Sequence, residues 1–184
     1  ALLAGIVLGV PFWAAVVAAI ITGGLAAVIM EATAFRPVRN ANPATLLMTS
    51  FAVAMLLQVI FQNFISARGQ AIPVPEVFTG SISVGNGQIS IVQAISIVVS
   101  LASLVALTLF FGRSSWGWAI RGAADDFETV RLMGYRASRL IAVAFLISGL
   151  LAGIAGVLWV MQRGSVDPLM GLKPVLAAFV VVVI

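Results

Sequence analysis

Every charged residue of this chain lies in one of four short connectors, and between the connectors run apolar stretches of about 20 residues. A helix crossing a hydrocarbon core of ~30 Å takes about 20 residues, and lipid tolerates no unpaired backbone. The stretches that meet this length are about 11–30, 44–64, 89–111 and 140–162. Pro11 suits a first helical turn and Trp13 an interface. Segments 1–9 and 175–184 are apolar but too short to span; the first reads as the tail of a preceding segment, the last as a truncated helix or a re-entrant piece. The chain opens without an initiator methionine and stops within an apolar run, so a fragment of a longer protein is expected. The expected fold class is all-α, a polytopic transmembrane helical bundle forming a single domain.

Composition leaves no soluble alternative. Hydrophobic residues make up 62% of the chain, charged residues 9%, and the mean hydropathy is +1.18. A water-facing surface needs roughly a quarter of residues charged. There is no cysteine and no histidine, which removes disulfides, thiol chemistry, imidazole catalysis and Cys/His metal sites. No catalytic residue, metal or cofactor is therefore expected, and a membrane-embedded enzyme finds no paired carboxylates within its spans. Ala1 to Met30 carries no charge, unlike the basic start of a signal peptide. The net charge of +4 comes from scattered basic residues, which reads as orientation information rather than a nucleic-acid surface.

That orientation follows from their distribution. Arg36 and Arg39 occupy the first connector, and Arg113, Arg121, Arg131, Arg136 and Arg139 the third. The second holds Arg68, the fourth Arg163 and Lys173. By the positive-inside tendency, 31–43 and 112–139 are cytoplasmic. On the other side, 66–88 is rich in Gly, Pro and Ser and reads as an ordered external loop; the alternation of Phe78, Ser81, Ser83 and Gly85 is the weaker sign of a hairpin.

The third connector is the most specific. Ala123-Ala124-Asp125-Asp126-Phe127-Glu128-Thr129-Val130-Arg131-Leu132-Met133-Gly134 reads as a short amphipathic helix outside the membrane. Ala123, Phe127, Val130 and Met133 fall on one face. Asp125, Asp126 and Glu128 lie toward its N-terminal end and Arg131 toward its C-terminal end, as the helix dipole favours, with Gly134 placed to end it. From pattern alone it is equally a solvated loop whose arginines enforce topology. Within the spans, Gly149, Gly153 and Gly156 suit close helix packing, inside the chain in preference to a subunit interface. Gln58, Gln62 and Asn63 in the second span and Gln93 in the third suit interhelical hydrogen bonds or a polar lining for a zwitterion. No ionisable residue sits at mid-membrane, which argues against a proton-relay or sodium-coupled carrier.

Arg121-Gly-Ala-Ala-Asp-Asp-Phe-Glu-Thr-Val-Arg-Leu-Met-Gly134 followed by Phe145-Leu-Ile-Ser-Gly-Leu-Leu-Ala-Gly153-Ile-Ala-Gly156 resembles the branched-chain amino acid permease family of ABC importers, the LivH type. Glu31-Ala-Thr-Ala-Phe-Arg36-Pro37-Val-Arg39 is similar to that family's Glu-Arg-x-x-x-Arg-Pro-x-Arg signature, and Gly164-Ser-Val-Asp-Pro168-Leu-Met-Gly171-Leu-Lys173 with Ala177-Ala-Phe179 resembles its external loop and next helix. Thr33 and Gly122 depart from the pattern. Glu128 to Gly134 also has the glutamate-to-glycine spacing of the wider EAA loop.

The resemblance implies a permease subunit in the bacterial cytoplasmic (inner) membrane that carries amino acids, without catalysing a reaction itself. Its implied partners are cytoplasmic ATPase subunits, a second permease subunit, an external or periplasmic solute-binding protein and the lipid bilayer. It implies that the ATPase docks on the 123–134 helix, with Phe127, Val130 and Met133 in its groove and Asp125, Glu128 and Arg131 at the rim. A channel or secondary transporter working without ATP is the competing expectation.

Overall fold

The structure is a computed structural model that describes residues 11–39, 41–64, 69–72, 80–84, 87–126, 130, 132–167, 169–171, 174–177 and 180. Helix α1 (Phe12–Met30) begins just after Pro11 and runs without interruption through a π-helical turn, Glu31–Phe35, into the short α2 (Arg36–Val38). The sequence had suggested a connector from residue 31. Instead the helix continues, because a helix leaving lipid keeps its internal hydrogen bonds and has no need to stop. Then come α3 (Pro43–Phe64), α4 (Ile91–Arg113), α5 (Ser115–Asp125) and α6 (Ala137–Arg163). Among the described residues four helical stretches are long and apolar enough to cross a membrane: Phe12–Val38, Ala44–Asn63, Ile91–Arg113 and Ser138–Arg163. The protein is a helical transmembrane bundle. Residues 174–177 and 180 are also helical.

Two small ribbons join the loops. Ser81–Val84 (β2) pairs antiparallel with Gly87–Ser90 (β3), Ser81 opposite Ser90 and Val84 opposite Gly87. The hairpin, the less favoured expectation for this loop, is the one that forms, and Ser90 then precedes α4 with an extended backbone. The third span therefore starts at Ile91, two residues later than its hydropathy suggested, since Ile89 is engaged opposite Ile82. Gln70–Ala71 (β1) pairs with Ser165–Val166 (β4), tying the loop before α4 to the chain after α6. Ile72 extends this tie: its N–H donates to the Gly164 carbonyl at 2.9 Å and its side chain is buried with Val157 and Val160. Gly164 closes α6 in the left-handed region at φ 66°, its N–H donating to the Val160 carbonyl.

The centre of the fold is the crossing of α1 and α6. Val16, Ala19 and Ile20 pack with Val157, Val160 and Met161, Gly23 and Gly24 meet Leu146, Gly149, Leu150 and Gly153, and the Phe35 and Phe145 rings sit 5.2 Å apart. Rising numbers on one helix meet falling numbers on the other, so the pair is antiparallel. Arg36 and Arg39 consequently lie at the same end as Arg136 and Arg139, and Arg163 at the opposite end. Helices α3 and α4 turn Met55, Leu56, Ile97, Val98, Leu101 and Leu104 outward. Large apolar side chains exposed along two whole spans belong in lipid or against further helices.

Candidate coupling surface

The connector between α4 and α6 is an elbow built on a glycine. Ser114 accepts a hydrogen bond from the Trp116 N–H at 3.3 Å on its side-chain oxygen and starts α5 one residue after α4 ends. Gly117 lies on the last turn of α4: a Cβ there would stand 2.5 Å from the Phe110 carbonyl oxygen and 2.6 Å from the Phe111 Cα. Any side chain at 117 would push the two helices apart. The Arg121 guanidinium donates to the Phe111 carbonyl oxygen and lies 4.6 Å from the centre of the Trp118 ring. An exposed end-of-helix carbonyl is thereby capped from ten residues away.

The predicted single helix from Ala123 to Gly134 is corrected. Helix α5 ends at Asp125, and Asp126 is extended at φ −145° and ψ 105°. Asp125 and Asp126 therefore sit at the C-terminal end of a helix rather than at the N-terminal end of one. Carboxylates are unfavourable beside a helix C-terminus, and aspartate competes for backbone groups in non-helical geometries, so the break falls at this pair. Val130 and Leu132 are again helical, and Gly134 adopts φ 86°.

The predicted apolar face divides. Val130 is buried with Ala119 and Leu140, and Ile120, Ala123 and Tyr135 pack around them, so Val130 and Ala123 face the protein's own interior rather than a partner. Leu140, at the start of α6, gives this cluster a floor that no pattern within the connector reveals. The Trp116 and Tyr135 rings close one side, 6.2 Å apart and edge to face. Met133 stays outward at 72% exposure, and Leu132, which lay off the predicted face, is 88% exposed. Ala124 is exposed as well. Phe127, Glu128 and Arg131 lie outside the described residues, as does the side chain of Asp125.

The intramembrane residues sort equally clearly. Gly149 and Gly153 stand at the α1 crossing, where a Cβ on Gly153 would lie 3.0 Å from the Ile20 Cα; nothing lies within 4 Å of a Cβ on Gly156, which takes no part in the packing. The reciprocal surface, Ala19, Gly23 and Ala27 at intervals of four, was missed but carries the same small-residue spacing. Gln58 and Gln62 are half-buried on α3, while Asn63 and Gln93 are exposed. A polar link also missed joins two spans: Gln162 Nε2 donates to Ser96 Oγ at 3.0 Å, and Ser96 Oγ to the Val92 carbonyl at 2.7 Å. Glu31, singled out earlier only as part of a motif, is 4% exposed in the π-helical turn, and its Oε1 has no hydrogen-bond partner among the described residues.

Comparison with known proteins agrees with these features. A family model described as the branched-chain amino acid transport system permease component matches residues 1–184. The chain is 30% identical over 162 residues to the high-affinity branched-chain amino acid transport system permease protein LivH of Escherichia coli K12, covering 84% of this chain and 51% of the relative. It is 32% identical over 174 residues to the corresponding BraD protein of Pseudomonas aeruginosa, covering 93% and 57%. Similarity extends at 25% identity over 122 residues to the fructose import permease protein FrcC of Rhizobium meliloti, covering 61% and 33%. The chain thus spans about half the length of the first two of these relatives. No solved structure matches.

Proposed function

Because the chain belongs to the family of branched-chain amino acid transport permease components, we propose that it forms part of the membrane-spanning pathway of a bacterial ATP-driven importer for branched-chain amino acids or related small polar solutes. The names of LivH and BraD support the amino acid, and the likeness to a fructose permease places the choice of solute outside the shared helical frame. In this reading the arginine-rich end faces the cytoplasm. The protein works in the cytoplasmic membrane with ATPase subunits, a second permease subunit and an external solute-binding protein, and the ATPase alone hydrolyses ATP.

The observation that carries the reading is the elbow. Val130 is packed on Leu140, the fourth residue of α6, while Gly117 and Arg121 hold α5 to the end of α4. A motor pressing on Leu132 and Met133 would thus load two spans at once, through packed groups rather than a slack loop. Residues 126–134 then serve as the docking segment, with Leu132 and Met133 as its apolar contact and Val130 as the anchor behind it. Gln58, Gln62, Asn63 and Gln93 remain the candidates for a polar lining.

The test is uptake into proteoliposomes carrying the full assembly. Leucine should accumulate only with ATP on the cytoplasmic side, and Met133→Asp combined with Leu132→Asp should abolish both uptake and ATPase association. Uptake that persists without ATP would refute the reading.

A further inference from the structure

Helix α5 has a second face that the elbow leaves unused. Gly117, Ala119, Ile120 and Ala123 turn toward α4, Val130 and Leu140, which leaves Trp118 and Arg121 outward, three residues apart on the same face. Trp118 is 63% exposed. The close approach of Gly117 to Phe110 and Phe111 holds the first turn of α5 against the last turn of α4, so this face stands at the level where a membrane span ends. An indole there meets neither pure hydrocarbon nor bulk water, and the interface is where tryptophan partitions.

The same pairing occurs at the far end of the bundle. The Arg163 guanidinium lies 5.0 Å from the centre of the Trp159 ring in the last turn of α6, and exposed Trp13 lies in the first turn of α1. Aromatic residues at both ends of the spans mark the two membrane surfaces. At the α5 end the guanidinium is also fixed by its hydrogen bond to Phe111, and Arg113, Arg136 and Arg139 add positive charge at that end. A held guanidinium with further N–H donors beside an interfacial indole matches a phosphate in both charge and geometry.

We propose that α5 lies in the membrane interface and that Trp118 and Arg121 bind the headgroup phosphate of an anionic phospholipid. Lipid is favoured over a protein partner because the face is continuous with a span and its polar edge is basic, like the complement of an anionic leaflet.

The test uses the intact assembly in nanodiscs of phosphatidylglycerol and phosphatidylcholine. Of the four tryptophans, the Trp118 signal is obtained as wild type minus Trp118→Phe, a substitution that keeps a ring in place. That difference signal should be quenched by lipids brominated near the headgroup, and only weakly by aqueous iodide. Wild type should also melt several degrees higher in phosphatidylglycerol than in phosphatidylcholine, with Arg121→Gln removing most of the gap. Quenching by iodide alone, quenching by neither reagent, which would mean a protein cover, or an unchanged gap in Arg121→Gln would each overturn the proposal. None of these readouts depends on transport.

Discussion

A Cβ placed on Gly149 of α6 would stand 2.7 Å from the carbonyl oxygen of Gly23 on α1, and the same contact seen from Gly23 is 3.0 Å. Two glycines thus let the backbones of the first and last described spans touch. In lipid, where apolar side chains gain little by leaving one apolar solvent for another, such close backbone contact is a principal source of helix association. Gly149→Ala should therefore force the helices apart and lower stability by about 1–3 kcal/mol. Gly156→Ala meets open space and should be neutral, or stabilising by about 0.5–1 kcal/mol through helix propensity. Thermal unfolding of the two variants in the same detergent separates them.

Val130 and Met133, three residues apart, should respond in opposite ways. Val130→Asp buries a carboxylate in the Ala119–Leu140 cluster and should lower the melting temperature of the permease itself. Met133→Asp alters an exposed side chain and should leave melting unchanged within ~0.5 kcal/mol while weakening ATPase association. Thermal melts and co-purification with the ATPase read the two effects independently.

Ile72 fastens the loop before α4 to the top of α6. Ile72→Ala empties a buried site beside Val157 and Val160 and should cost about 2–3 kcal/mol locally. Hydrogen exchange should rise at Gln70–Ala71 and Ser165–Val166, where the ribbon loosens, while the Gly23–Gly149 crossing keeps its protection.

Glu31 places a carboxyl where the described chain offers Oε1 no hydrogen bond. An unpaired buried acceptor costs about 1–3 kcal/mol. Glu31→Met, similar in size and apolar, should raise the melting temperature of the isolated permease. A fall would show that the carboxyl is satisfied by a group this chain does not supply.

The number of spans, their approximate positions and the clustering of arginines at one end were legible in the sequence. So was the close packing at Gly149 and Gly153. Hydropathy over 20 residues and small-residue spacing are local quantities, readable without knowing what lies opposite. The elbow was legible only in part: its membership of the third connector, its glycine at 134 and its apolar content were plain, but its helix boundaries and its inward and outward faces were not.

A periodic pattern states that residues share a face without saying which way that face turns. Val130 turned inward because Leu140, Ala119 and Ala123 arrive from two other helices to cover it, and the pattern broke at Asp126 because two carboxylates meet a helix C-terminus. The sequence by itself determined that this chain is solvated by lipid, since so few charges cannot cover a surface in water. Only the tertiary structure decided which apolar residues of the elbow are spent on its own packing and which remain outward, because burial is a property of neighbours brought together from distant parts of the chain.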